Sequence, residues 1–370
     1  MAKSRTIRSL SVEHPGQLSF FEYEEGPPLD GQIRVETLYT GLSAGTELTF
    51  VKGTNPYLSA RWDADLGVFQ EGEPSAGYPI NFLGYMEVGR VSESRSPAAA
   101  AGDLIAMAYG HKTGHTADPR VEFIQPLPAD LDPILGIYAA QMGPICANGL
   151  LHAAHDLHGA GVDDLGAGVR DRFVLVTGGG VVGLLTGLFA LQHGAAVVAV
   201  ADATPERLAA ARALGLEPLD ERDGDAWQVC KARWGRGPGD RGVDVVFQCR
   251  GQAASLQLAL RALRPQGTVI DLAFYQGGAP ELRLGEEFHH NGLSIRSAQI
   301  GRVPRGLGHL WDRPRLARAT IALLRAYGRQ IQEHIITDVV PFTDAPAFVA
   351  ALAARQRHAI QAVFQVSGAK

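Results

Sequence analysis

The sequence predicts an α/β protein of two domains, one a doubly wound parallel sheet and the other β-rich. Three observations carry this expectation. The chain has 370 residues, beyond the ~250–300 at which a single hydrophobic core stops growing. Up to about residue 145, short strand-like runs are broken by Gly, Pro, Asn and Asp. From about Asp171, strand-like runs alternate with helical ones, the pattern of a parallel sheet covered by helices on both faces.

Bulk composition narrows the class. Apolar residues make up 46% and charged residues 20%, ordinary globular values. A net charge of −5 argues against a nucleic-acid binder, which would carry a basic excess. Cys146, Cys230 and Cys249 are odd in number and widely spaced. They form neither a disulfide framework nor a structural zinc lobe, so a reducing cytoplasm is expected. No apolar run follows the basic N-terminal residues, so no signal peptide is expected. The uncharged run Phe173–Ala201 is long enough to imitate a membrane span. Gly178, Gly179, Gly180, Gly183 and Gly187 crowd its middle, so it reads as strand, turn and buried helix. No membrane association is expected.

In chain order, "GQIRVETLYTG" and "EVGRVSES" read as alternating strands and "DLIAMAYG" as a more buried one. Between the first two, "YTGLSAGTELTF" reads as a polar, turn-like stretch. The long polar segment between Lys52 and Ile80 is either a surface excursion or a lid with Arg61, Trp62 and Asp63 as contacts. Further on, "RFVLVTG", "AAVVAVAD", "GVDVVFQC" and "GTVIDLAF" are strand-like, with helical runs between. The helix at 205–214 has Thr204 as its cap, Pro205 and Glu206 in its first turn and Gly215 as its stop. The tail adds helices in "RLARATIALLRAYG" and "DAPAFVAALAAR", and strands in "HIITDVVPF" and "AIQAVFQV".

"VLVTGGGVVG" holds G-x-G-x-x-G at Gly178, Gly180 and Gly183. It follows a strand-like run, opens a helical one and lies in a βαβ unit. Asp202 ends the next strand 19 residues beyond Gly183, close to the ~20 expected of a ribose-binding acid. Gly178 permits the tight turn, Gly180 lets backbone approach a pyrophosphate, and Gly183 lets helix and strand close. N–H groups near Val181 and Val182 face the phosphates. The Asp202 carboxylate accepts from ribose hydroxyls and repels a 2′-phosphate, so NAD is expected over NADP; Arg207 weakens that preference slightly. This is a Rossmann unit.

The order of parts resembles the medium-chain dehydrogenase/reductase superfamily, zinc-type alcohol dehydrogenases included. The cues are "YTGLSAGTEL", "NFLGYMEVGRV", "GDLIAMAYG", "QPLPADLDP", the glycine motif, "DVVFQCRG" and "LRPQGTVI". The resemblance implies a GroES-like catalytic domain at 1–147 and 308–370 and a Rossmann domain at 148–307. It also implies a homo-dimer or homo-tetramer through the Rossmann edge. Cys249, Arg250 and Phe274 are expected at the cofactor.

Zinc-dependent members carry motifs like G-I-C-G-T-D and G-H-E-x-x-G. Here the Cys position holds Ser43 or Ala44, the His position Tyr85 and the following Glu position Met86; the later ligand position, near "QMGPICANG", offers Gly143 or its neighbours rather than Cys or Glu. These are poor substitutes in a tetrahedral site, so no zinc is expected. The pairing of "SAGTE" with "GY-x-x-VG" is locally similar to the bacteriochlorophyllide a dehydrogenase branch.

Something other than a cation must then manage the substrate oxygen. Thr46 matches the family's relay hydroxyl, Tyr85 sits at a former ligand position, and Ser43 and Glu47 belong to the same loop. His111 or His115 in "MAYGHKTGH" suits proton transfer near neutrality. His152, His155 and His158 read as ordinary helix positions, while His289, His290 or Asn291 could approach the site. The expectation is a zinc-independent, NAD-dependent oxidoreductase of a secondary alcohol, with a sugar- or cyclitol-like substrate suited by Trp62, Asp63 and Trp311. A quinone or enoyl reductase, or a dinucleotide-binding protein without turnover, remains the alternative.

Overall fold

The computed structural model describes residues 3–366, which divide into two compact units. One runs up to Gln141 and resumes at Ile336; the other spans Met142–Ile335. The sequence put the joins at 147/148 and 307/308. The later return follows from the helix Arg313–His334, which packs on the helices Met142–His158 and Val181–Gln192. It buries Leu316, Ala317, Thr320, Leu323, Leu324 and Ile331, a stripe at helical spacing.

In the first unit, the hairpin Arg5–His14/Gln17–Glu25 accompanies a seven-stranded sheet. Its spatial order is Ile336–Pro341, Gln361–Gln365, Ile33–Gly41, Glu87–Ser94, Leu104–Met107, Gln125–Pro126, with Gly114–Ala117 also on Ile33–Gly41. Only the first pair is parallel. Ile33, Val35, Val91, Ile105 and Met107 form one apolar cluster; Leu10, Phe50, Ile80, Phe342 and Phe364 belong to another. Burying each such side chain stabilises by roughly 1.5–3 kcal/mol. The register places Thr40 opposite Glu87, and Glu87 opposite Met107.

Two segments differ from expectation. The stretch read as a polar turn is a helix, Ala44–Val51. Gly45, Thr46 and Thr49 lower its propensity, but Leu48, Phe50 and Val51 are buried on the apolar cluster, and tertiary packing outweighs propensity. The segment after Lys52 holds a short turn, Pro56–Leu58, and a hairpin, Ala60–Asp63 with Val68–Glu71.

In the second unit, six parallel strands run in the order Glu217–Asp220, Val197–Asp202, Phe173–Thr177, Val243–Gln248, Leu263–Asp271, Ser294–Ser297. In sequence terms this is 3-2-1-4-5-6, the doubly wound order whose switch point lies beside the first strand. The uncharged run Phe173–Ala201 resolves into strand, turn, helix and strand. No helix among the described residues is long and apolar enough to cross a membrane. Thr204 does precede the helix Pro205–Ala213, but its side chain makes no cap bond; its N–H instead donates to Asp202 Oδ1 at 2.8 Å.

Gly143 marks a close approach within this unit. A Cβ built there would lie 2.1 Å from Thr320 Cγ2 and 2.6 Å from its Oγ1. Gly143→Ala is therefore expected to lower the unfolding free energy by roughly 1–3 kcal/mol. Thr320→Ala in the same chain should recover part of that loss. A double-mutant cycle by denaturant titration checks it; additive effects would rule the contact out.

Candidate functional site

Four segments of the first unit converge. The strand Ile33–Gly41 supplies Thr40, and the helix that follows supplies Ser43 at its start with Thr46 and Glu47 inside. Tyr85 and Glu87 stand at the start of the strand Glu87–Ser94, and His111 follows the strand Leu104–Met107. The Ser43 hydroxyl does not cap its helix but is hydrogen-bonded to the Tyr85 phenol. Glu47 replaces the missing cap: its Oε1 accepts from Ser43 N at 2.8 Å, as the acid of a capping box does. Its Oε2 meets His111 Nε2 at 2.6 Å. The other ring nitrogen, Nδ1, meets Thr40 Oγ1 at 2.6 Å. Thr40 Oγ1 is in turn 2.9 Å from Glu87 Oε1, and Glu87 Oε2 accepts from Tyr109 N at 2.8 Å.

Thr40, Glu87 and His111 are 0% exposed and Glu47 2%, so the string lies in low dielectric where each bond is stronger. Burial alone would favour a neutral His111, but the Glu47 carboxylate, its hydrogen bond and the Glu87 charge raise the ring's pKa above the ordinary value. Burial raises the Glu87 carboxyl above its ordinary range, against the pull of His111, the Tyr109 N–H, Thr40 and the Gly110 N–H. Beside this string is a cavity of about 370 Å³. Thr46, Glu47 and Tyr85 are its polar walls; Phe50, Tyr57, Ser75, Ala76, Phe82, Leu83 and Gly84 complete it.

The structure thus brings together Ser43, Thr46, Glu47, Tyr85 and His111. It places other candidates elsewhere. His115 pairs with Glu122 at 2.7 Å and stacks on Tyr109. Asp63 caps its own hairpin turn through Asp65 N and Leu66 N, Arg61 pairs with Glu73, and Trp62 packs edge-on against Phe69. The segment reaches the cavity through Tyr57, Ser75 and Ala76 instead. Trp311 is buried, with its indole N–H donated to Val162 O. His152, His155 and His158 bond backbone carbonyls, as does His290. Thr40 and Glu87 did not emerge from the sequence. The available signal was a carboxylate inside the apolar run "YMEVGRV", where a strand with two buried neighbours leaves it no solvent.

The fold implies a zinc site at this loop in its metal-dependent relatives. The side chains here do not fit one. Ser43 and Tyr85 bond each other, and the Met86 thioether is in the core against Gly41. Gly143 is closed off by Thr320. Among the described residues, no group of three or more His, Cys, Asp or Glu side chains could hold a metal ion.

In the second unit, Gly178 has φ +96°, a left-handed turn that glycine tolerates without strain. A Cβ on Gly183 would lie 1.9 Å from Gly178 O, whereas one on Gly180 would meet nothing within 4 Å. The middle glycine thus leaves open space at the N-terminus of the helix Val181–Gln192, a cradle suited to a pyrophosphate. Asp202 Oδ2 accepts from Gly179 N at 2.8 Å. Arg207 Nη1 and Arg250 Nη2 each lie 3.5 Å from the same oxygen. Burial would raise the Asp202 carboxyl; the Gly179 and Thr204 N–H groups and the two guanidiniums hold it below its ordinary value. Arg250 also pairs with Glu221 at 2.7 Å. Cys249 N donates to Thr177 O at 2.9 Å, and Phe274 is partly exposed. These residues fit a dinucleotide: the glycine turn for its phosphates and Asp202 for a ribose.

Comparison with known proteins agrees with this geometry. Residues 181–311 match the family described as zinc-binding dehydrogenase. D-guloside 3-dehydrogenase of Escherichia coli (strain K12) is 26% identical over 92% of this chain and 94% of its own length. The chain is an enzyme, and its residues 181–311 are similar to the zinc-binding dehydrogenase family. A putative D-xylulose reductase of Rhizobium meliloti is 33% identical over 37% of this chain and 41% of its own length. Among solved structures, a putative zinc-binding dehydrogenase from Sinorhizobium meliloti 1021 bound to NADP has a TM-score of 0.73 at 20% identity, covering 98% of this chain and 99% of that one. The 2R,3R-butanediol dehydrogenase of Bacillus subtilis has a TM-score of 0.72 at 16% identity, covering 97% and 99%. At those identities the structures speak for the fold.

Because Glu47 raises the His111 pKa, Glu47→Gln is expected to let the ring lose its proton at lower pH, read by ¹⁵N NMR of the imidazole. A raised folded value stabilises the protonated, folded chain fully below the unfolded value of about 6.5 and is lost as pH rises through the folded one. Stability of the parent should therefore fall across that window, and that of the variant should fall less. An unchanged His111 titration in the variant would contradict the coupling.

Proposed function

We propose that the chain is a zinc-independent, NAD-dependent oxidoreductase that interconverts a secondary alcohol on a sugar- or cyclitol-like molecule with its ketone. The observation that carries this reading is the hydroxyl pair Ser43–Tyr85 at the positions of the family's metal ligands, with the Glu47 carboxylate in the same cavity wall. Tyr85, Ser43 and Thr46 hold the substrate oxygen by hydrogen bonds, the work a cation does in metal-dependent relatives. Glu47, backed by His111, takes the hydroxyl proton in oxidation and returns it in reduction. The dinucleotide, when bound, supplies the hydride acceptor or donor.

A cavity with mainly apolar walls and a few placed polar groups is suited to a small organic ligand, with Phe50, Tyr57 and Phe82 as faces for the C–H side of a ring. The ring substrate is supported by the relative named D-guloside 3-dehydrogenase, matched along nearly its whole length. Preference for NAD is supported by the ionised Asp202 at the end of its strand, whose charge repels a 2′-phosphate. A homo-oligomer through the Rossmann edge is supported by the edge strand Ser294–Ser297, where Ile295 is 38% exposed. Sedimentation velocity checks it; a monomer at high concentration excludes it.

Turnover with NAD on a panel of hexosides and polyols tests the reading, using enzyme stripped by chelator. Undiminished rates are expected. Activity that returns only with a divalent ion would overturn metal independence. Tyr85→Phe should lower kcat by about 10²–10³ with little change in KM; full activity would remove the phenol from the chemistry. Asp202→Ser should raise the NADP-to-NAD ratio of kcat/KM by about tenfold, about 1.4 kcal/mol of discrimination.

A further inference from the structure

The string Glu47–His111–Thr40–Glu87 contains more hydrogen-bonding groups than an acid–base pair needs, and hydrogen counting constrains it. Thr40 has one hydroxyl hydrogen and two close partners, His111 Nδ1 at 2.6 Å and Glu87 Oε1 at 2.9 Å. If it donates to Glu87, it must accept from Nδ1–H; the ring, whose Nε2–H donates to Glu47, is then an imidazolium. If it donates to Nδ1, it must accept from a protonated Glu87, and the ring is neutral. In a third arrangement the proton sits on Glu47, which donates to Nε2, while Nδ1–H donates to Thr40 and Thr40 to Glu87. Every bond is satisfied in all three, and they differ only in the place of one proton.

Removing that proton leaves one of the three contacts without a hydrogen, the 2.9 Å Thr40–Glu87 contact when Thr40 donates to the ring and a 2.6 Å ring contact otherwise. All three contacts carry a hydrogen only in the loaded string, which has a net charge of −1. Burial lifts Glu87, while the flanking carboxylates outweigh burial and lift His111. Other charges face the string. The Lys112 ammonium interacts with Glu87. The Tyr109 phenol, bonded to Thr37 and facing Arg5 and Glu36, feels Glu87 as well. Phe364 closes the edge of the His111 ring at 5.6 Å. Glu87, fully buried, is a closed end; Glu47, in the cavity wall, is the open one.

We propose that Thr40 and Glu87 form, with His111 and Glu47, a buried store for a single proton, exchanged with the substrate at Glu47 and held at Glu87 through the Thr40 hydroxyl. The proposal rests on the oxidoreductase reading for its substrate step. In reduction of a ketone, hydride from a reduced nicotinamide dinucleotide forms the C–H bond and the loaded string supplies the O–H proton from Glu47. That proton reaches Glu47 from Glu87 by way of the Thr40 hydroxyl and the His111 ring, and its transfer leaves the string empty, with both carboxylates ionised and the ring neutral. In oxidation the emptied string receives the hydroxyl proton as hydride leaves carbon. Thr40 and Glu87 do not touch the substrate; they are positioning residues that act through His111.

The test uses the full chain without cofactor or substrate, by ¹⁵N NMR of His111 and ¹³C NMR of the glutamate carboxyls against pH. In the parent, His111 and Glu87 should titrate together, in steps shared by the pair. Thr40→Val keeps the shape but cannot pass a proton; His111 and Glu87 should then titrate independently, and Thr40→Ser should restore coupling. Glu87→Gln should move the His111 titration to lower pH and serves as the second variant if the valine form does not fold. Where turnover is measured, Thr40→Val should lower kcat roughly ten- to a hundredfold at constant KM, below the full 10²–10⁴ of a positioned acid–base group, and displace the pH profile. Coupled titration without turnover on any alcohol or ketone would leave the store standing and defeat the substrate reading. An unaltered His111 titration in folded Thr40→Val, or in Glu87→Gln, would overturn the store.

Discussion

The His111 imidazole, held at both nitrogens in a site without solvent, is the constraint on which the first unit's site depends. Its two partners lie on different elements, Thr40 on a strand and Glu47 on the helix that follows it. The distances fix where that helix starts relative to the sheet. That start orients Ser43, whose hydroxyl is thereby free of capping and available to Tyr85. A buried polar string of this kind is stable only when every member is satisfied, so geometry and protonation state cannot vary separately.

The dinucleotide side was legible in the sequence because its signals are local. Three glycines and one aspartate fall within a single βαβ unit, and each has a distinct steric task. The candidate site of the first unit was legible only in part. Tyr85, Glu47 and His111 could be found because they occupy recognisable places in the order of parts, but their mutual contacts could not. Thr40 and Glu87 are 47 residues apart, and a cross-strand register joins them, which no spacing within one segment reveals. The helix Ala44–Val51 was misread because local propensity points to a turn, while the packing that decides the matter comes from distant segments. Arg61, Trp62 and Asp63 look like ligand contacts in sequence because polar and aromatic residues serve a hairpin as well as a site.

The chemistry proposed for the loop differs in kind from coordination. A cation acts at one point and needs converging lone pairs. Hydroxyls and a carboxylate act directionally, and their effect depends on where hydrogens sit. The cavity walls supply donors and an acceptor side by side, Tyr85 and Thr46 with Glu47, which suits a reacting oxygen that changes between hydroxyl and carbonyl.

The contact between Gly143 and Thr320 has a bearing on history. Position 143 can acquire a side chain only after position 320 has shrunk, and the reverse order passes through a crowded, weakened chain. The two sites are bound by epistasis. A coordinating side chain placed at position 143 by one change would therefore meet Thr320 before it could meet anything else.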